Sequence, residues 1–306
     1  MITPAIRCLK QQTNHEIHFL TKKSFTSILS ANPYIDKIIP FEKNDKQIIK
    51  KLKDENYDFV VDLHNNIRST KVRKKLKKPF SKLYKLSIHK EVLIHTGISN
   101  LPNLHVAHRA IDTLKSFDVQ DDDMGMDFFI HEETKHKTPP GITKYICLAL
   151  GTTHFTKNIP EDTLKFIIEN APYTVLLLGG PKEKALGESL EKEFPERCSN
   201  MAGKTNLQES ALLIKHAEYF IGGDTGMLHM ACALKKRTIS IWGATIPEFG
   251  VYPYYGKEEV PFHMHEVNLK CRPCSKHGSS KCPKKHFNCM KLHDLSLIAE
   301  QMKTLA

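Results

Sequence analysis

Two stretches of this sequence carry side chains whose types and spacing could do chemistry. The first is Gly222-Gly223-Asp224-Thr225-Gly226. It follows the short apolar run Tyr219 to Ile221 and precedes Met227 to Leu234, which has the length and composition of a helix. The backbone N–H groups of Thr225, Gly226 and Met227 would be unpaired donors at a helix N-terminus, where the macrodipole also favours negative charge. A phosphate or pyrophosphate is the natural guest there. Gly226 lets such a guest approach the backbone. Asp224 would repel a phosphate, so its carboxylate points to hydrogen bonds from hydroxyls beside the phosphate, and a sugar nucleotide offers both. The competing reading is that Asp224 or Thr225 caps the helix. His229, one turn in, is open to the same two readings.

The second stretch is Cys271-x-x-Cys274 with Cys282 and Cys289, flanked by His277, His286 and His293. A CxxC pair suits one edge of a zinc site, but no second CxxC follows. The four cysteines therefore read either as a structural zinc site or as free or redox-active thiols in a structural loop. Cys8, Cys147, Cys198 and Cys232 are scattered and read as buried thiols, which suits a reducing cytosol. Asp121-Asp122-Asp123 resembles a metal site in isolation, yet three successive acids point in different directions and read as an exposed loop.

Behind the Asp224 turn, Thr238 to Trp242 returns as a second strand, so strand, helix and strand make a βαβ unit with a parallel pair. Ligands of open parallel sheets bind beyond the carboxyl ends of the strands. Earlier segments repeat the pattern. Tyr145 to Leu150 is a buried strand leading into the loop Gly151 to Lys157, and Asn158 or Ile159 with Pro160 starts a helix through Glu169. Thr174 to Leu178 is another strand, turning at Gly179-Gly180-Pro181. An acid soon after such a turn can hold ribose hydroxyls. Asn206 to Glu209 has the form of a capping box.

Nearer the start, Met1 to Gln12 reads as a helix, Glu16 to Leu20 and Ile35 to Phe41 as strands, and Asp45 to Asn56 as a helix. Tyr57 to Leu63 is a strand ending in the polar turn His64-Asn65-Asn66, where Asp62 is a cap or turn residue as readily as a ligand group. Lys78 to Leu104 reads as loops and short elements forming a flap, and Ala107 to Phe117 as a helix. The polar run His131 to Thr143, with Pro139-Pro140-Gly141, marks a domain boundary.

With 306 residues the chain is long enough for two domains. Its 40% apolar and 26% charged residues are those of a globular protein. No apolar run reaches the roughly 18 residues of a membrane span, and no signal peptide is evident. The net charge is +11, and Lys71 to Lys90 holds nine Lys or Arg and no acid. Such a run is a solvated face by default, or it meets an anionic partner. Aromatics are not interleaved as base stacking requires, which ranks an anionic membrane surface or glycolipid above nucleic acid.

The segment Gly222 to Leu234, with Thr238 to Gly243 and Pro247, resembles the signature of glycosyltransferase family 9, the bacterial ADP-heptose:lipopolysaccharide heptosyltransferases. TPAIRCLKQQ, NPYIDKIIPF, YDFVVDLHNNIRST, LGTTHFTKNIP and the CRPC tail extend the likeness over nearly the whole chain. It implies an α/β fold of GT-B type, two Rossmann-like lobes with parallel sheets around a central cleft. Residues 1–137 would take the acceptor and 138–290 the nucleotide sugar, and a helix over 291–306 would cross back to the first lobe. On the donor side the resemblance implies Thr152, Thr153, Lys157 on the diphosphate, Glu183 on the ribose, and Asp224, Thr225, Gly226, Met227 and His229. On the acceptor side it implies Asp62, Asn65, Arg68 and Ser69. The implied reaction is an inverting transfer of a heptose or similar sugar from an ADP-sugar to a lipopolysaccharide core or lipid A-linked acceptor. No cofactor is required for it, and a structural zinc on Cys271, Cys274, Cys282 and Cys289 would stand apart from catalysis. The implied location is cytoplasmic, peripheral to the inner membrane.

One departure from the pattern affects catalysis. Family members open with a strand and a Gly-Asp turn directly before the segment matching Thr3-Pro4, and that aspartate serves as the base. The sequence from Met1 does not contain it, so the catalytic residue is unassigned. Donor binding with poor transfer and exposed sheet edges in the first lobe are expected. The alternatives are a degenerate transferase that binds donor without turnover, and a zinc-stabilised nucleic-acid-binding protein suggested by the basic run and the cysteine tail.

Overall fold

The computed structural model describes residues 1–43 and 45–306. It divides into two compact units, Met1–Ser87 with Leu104–Phe129, and Ile88–Asn103 with Ile130–Ala306. The division differs from the expected one in three places, the first being the boundary itself, which falls after Phe129 rather than after residue 137. Residues 88–103 belong to the second unit, where the Lys90 ammonium lies 4.7 Å from the centre of the Phe249 ring and Glu91 pairs with Lys276 at 2.5 Å. The helix Leu295–Thr304, expected to cross back to the first lobe, also belongs to the second unit. Asp294 caps it, and Ile298 and Met302 are fully buried in that unit's core.

In the first unit, strands β1 (His18–Lys22) and β2 (Lys37–Phe41) pair in parallel, as do β3 (Val60–Asp62) and β4 (Phe80–Lys82). Among the described residues these form two separate two-stranded sheets, so each strand has one free edge. The helix Thr3–Gln12 begins with Pro4 in its first turn, where a missing N–H is harmless. It packs Ala5 and Cys8 against Leu83, Ala110, Ile111 and Leu114. Arg7 is buried with it at 2% exposure. Its guanidinium donates to both Asp122 oxygens at 2.7 and 2.8 Å and to Gly125 O at 2.9 Å, and it pairs with Asp127. The acidic run at 121–123 is thus not a uniformly exposed loop: Asp122 is spent on Arg7, and only Asp123 is exposed.

The second unit holds one six-stranded sheet, all parallel: β5 (Tyr145–Ala149), β6 (Thr174–Leu178), β7 (Cys198–Asn200), β8 (Phe220–Gly223), β9 (Thr238–Trp242) and β10 (Phe262–Glu266). Their order across the sheet is β10-β9-β8-β5-β6-β7. Every residue of β5, β8 and β9 is buried, as befits parallel strands covered on both faces; β5 is apolar throughout, while β9 also buries Thr238 and Ser240. β7 and β10 escape that signal because they are edge strands with polar residues, Cys-Ser-Asn and Phe-His-Met-His-Glu. The chain moves to one side from β5 through β6 and β7, and to the other from β8 through β9 and β10. The junction of β5 and β8 is therefore the point where ligands enter folds of this kind.

Candidate donor-binding site

Two loops leave that junction, one from the end of β5 and one from the end of β8, and glycine lets them meet. A Cβ on Gly223 would lie 2.8 Å from the Lys157 carbonyl oxygen. The loops approach so closely that Lys157 Nζ sits 2.7 Å from Asp224 Oδ2, with both side chains largely buried. The Thr245 hydroxyl, 1% exposed at the end of β9, donates to the same oxygen at 2.9 Å. His229 Nε2 lies 3.8 Å from Asp224 Oδ1, and His229 Nδ1 is buried with no hydrogen-bond partner among the described residues. Burial alone would raise the Asp224 pKa, but His229 and Lys157 together hold it well below the usual carboxylate range. Burial lowers the His229 pKa against the opposing pull of Asp224.

The capping question divides between the two neighbours. Thr225 caps the helix Gly226–Ala233, its Oγ1 accepting from Leu228 N at 3.1 Å. Asp224 does not cap; it turns toward Lys157, Thr245 and His229. Gly226 is exposed, and a Cβ there would meet nothing within 4 Å, so the first helical turn faces open space. Met227 is half-buried beside it.

The remaining donor-side residues are placed unevenly. Glu183 folds back into the glycine turns, accepting from Gly180 N at 2.8 Å, and a Cβ on Gly151 would lie 2.4 Å from its Cγ. Thr152 is engaged within its own loop: its N–H donates to Asn158 Oδ1 at 2.9 Å and its Oγ1 accepts from His154 N at 3.1 Å. Thr153 is exposed. Sequence reasoning missed Thr245 and Asn158, although the position of Thr245 just past a strand's carboxyl end marks it as a site position.

In the first unit, the expected acceptor residues mostly serve the turn that carries them. Asp62, 5% exposed, accepts from His64 N at 3.1 Å and Asn65 N at 2.6 Å. Asn65 donates to Leu83 O at 2.9 Å, and Ser69 completes a capping box with Asn66. Arg68 alone of the four is exposed. Burial lowers the pKa of His64, and Lys85 and Arg68 add to the effect. The basic run is partly consumed as well: Arg73 is buried over the Phe80 ring at 4.0 Å, while Lys71, Lys74, Lys75, Lys77 and Lys82 are exposed.

Cys271, Cys274 and Cys282 are half-buried and Cys289 buried, all as free thiols. Among the described residues, the one group of three His, Cys, Asp or Glu with ligand atoms all within 4.8 Å is Cys8, Asp121 and Asp122. Of these, Asp122 is already paired with Arg7, and Asp121 lies 3.7 Å from His108. Cys271 Sγ lies 3.9 Å from His286 Nε2, but no three of the late cysteines and histidines bring ligand atoms within 4.8 Å of one another among the described residues.

A twofold likeness to known proteins accompanies this geometry. The sequence pattern of glycosyltransferase family 9 (heptosyltransferase) matches residues 46–284, so the chain belongs to that family and is a glycosyltransferase. Lipopolysaccharide heptosyltransferase 1 of Campylobacter coli is 28% identical over 75% of this chain and 75% of its own. Lipooligosaccharide heptosyltransferase 2 of Haemophilus influenzae is 36% identical over 81 residues, 25% of this chain and 23% of that protein. Among solved structures, a family 9 glycosyltransferase from Veillonella parvula superposes with a TM-score of 0.75 at 16% identity, covering 99% of this chain and 92% of that one. Heptosyltransferase WaaC of Escherichia coli, solved with ADP, gives 0.67 at 17% identity over 100% and 95%. The fold is the GT-B fold of these enzymes.

Proposed function

We propose that the chain transfers a heptose or similar sugar from an ADP-sugar to a lipopolysaccharide core acceptor, with inversion. The observation that carries this reading is the cluster of Lys157, Asp224, Thr245 and His229 beside the open first turn of Gly226–Ala233. An ammonium and a helix N-terminus at one point can offset the charge growing on a departing diphosphate. When a diphosphate draws Lys157 away, Asp224 keeps Thr245 as a donor and remains available to sugar hydroxyls. Glu183, held by one oxygen at Gly180 N, has its other oxygen for the ribose.

The test uses the open space at Gly226. Gly226→Val is expected to leave the melting temperature unchanged and to weaken ADP binding at least about tenfold in calorimetry, since the new side chain occupies the space of the phosphate rather than of the protein. Unchanged ADP affinity would move the diphosphate elsewhere.

The exposed lysines Lys71, Lys74, Lys75, Lys77 and Lys82 support attachment to an anionic membrane surface near the acceptor. Among the described residues, no helix is long and apolar enough to cross a membrane. A structural zinc on Cys271, Cys274, Cys282 and Cys289 would require these thiols to come within ligand distance of one point. If it forms, anaerobically purified protein will contain about one equivalent of metal, and chelation will lower its melting temperature. Metal analysis that finds none leaves the cysteines as thiols of a structural loop.

A further inference from the structure

We infer that the cysteine-rich segment Cys271–Cys289 is a positioning element of the donor site, acting through Lys157 and Asp224 rather than on the sugar nucleotide. The inference rests on the donor reading above. Two separate fastenings carry it.

The first holds the loop after β9. Arg272 donates from Nε to Gly243 O at 2.5 Å, from Nη1 to Val267 O at 2.7 Å, and from Nη2 to Thr245 O at 3.0 Å and the Glu266 carboxylate at 2.9 Å. Cys274 N donates to Ala244 O at 3.2 Å. Gly243, Ala244 and Thr245 thus each give their carbonyl to the segment, which fixes the backbone from which the Thr245 hydroxyl reaches Asp224. Arg272 is well suited to this because its planar fork serves several acceptors in one geometry.

The second fastening holds the lysine. Thr156, 1% exposed, donates from its N–H to Ser279 O at 3.1 Å, and its hydroxyl oxygen accepts from Ser279 N at 2.8 Å. Gly278 then lies flat against the stem of Lys157. A Cβ there would fall 2.8 Å from His154 Cβ and 2.9 Å from Lys157 Cδ, and the backbone φ of +91° is itself one that glycine favours. Thr156 O also accepts from Ala244 N at 3.2 Å, so the two fastenings share a strut. The segment therefore sets both ends of the 2.7 Å Lys157–Asp224 pair.

A loop that merely completed the core would affect stability without singling out Lys157, and this separates the two roles. ADP affinity is measured by calorimetry, and melting temperature alongside, for Gly278→Ala and Thr156→Val, each made in the native chain and in Lys157→Ala. Thr156→Val keeps shape and removes only the hydroxyl, so it carries the comparison if Gly278→Ala does not fold. Each substitution is expected to weaken ADP binding about tenfold in the native chain and less than about twofold when Lys157 is already alanine, the non-additivity of groups acting through one another. Equal losses in both backgrounds, or no loss in a folded variant, would overturn the inference while leaving the donor site standing. A native chain with no affinity for ADP would overturn the donor reading, and the inference with it.

Discussion

Asp224→Ala is expected to weaken binding of an ADP-sugar roughly 10- to 150-fold, the equivalent of about 1.5 to 3 kcal/mol for hydrogen bonds to a charged group. The protein should stay folded. Lys157, at 15% side-chain exposure, can reach water once its partner is gone, and Thr225 rather than Asp224 caps the helix, so the local fold does not depend on the carboxylate. Asp224→Asn sharpens the result, since its amide oxygen can still accept from the Thr245 hydroxyl while the charge and one acceptor oxygen are lost. Because the folded-state pKa of Asp224 is depressed, the stability it contributes is present above about pH 4 and is lost as the pH falls further. Calorimetry that shows native affinity in a folded Asp224→Ala protein would remove this residue from the site.

The second large effect lies in the first unit and concerns stability alone. Arg7→Ala should destabilise that unit by about 3 to 5 kcal/mol, because removing one partner of a buried ion pair leaves the other uncompensated. Here two carboxylates are left behind, Asp122 and Asp127, each at 19% side-chain exposure. The hydrogen bond from Arg7 is the main reason that the Asp122 pKa is lowered to about 2. Hydrogen exchange should accelerate in the helix Thr3–Gln12 and the residues around Leu114, with the six-stranded sheet unaffected. Protection that is unchanged in the helix would show the network to be dispensable.

The legible parts of this chain were those where one face or both had to be apolar. β5, β6 and β8 stand out as largely apolar runs followed by glycine, and the Asp224 turn follows from such an ending. The capping box at Asn206 is local, three residues wide, and so is visible in sequence, whereas the one at Asn66, closed by Ser69 rather than Glu or Gln, reads only as a polar turn. What could not be read depends on distant partners. Nothing near Arg7 in sequence announces Asp122 and Asp127, and a helix with a lysine-like charge on its face would ordinarily be turned to water. The destination of Leu295–Thr304 was equally hidden, because an amphipathic helix declares that it needs an apolar surface without declaring which one. Thr245 and Ser279 are polar residues in loops, whose roles exist only after β9 and the cysteine-rich segment have met the loop after β5.

That meeting has a consequence for the growing chain. Thr156 and Ser279 are separated by 123 positions, and every strand from β6 to β10 is made in between. At synthesis rates of about 5 to 20 residues per second, Lys157 waits roughly 6 to 25 s on the ribosome before its buttress emerges. The sheet can assemble in that interval strand by strand, but the nucleotide pocket cannot take its final form. If the proposed donor site is right, a nascent chain cannot hold donor in its final geometry until Ser279 has been translated.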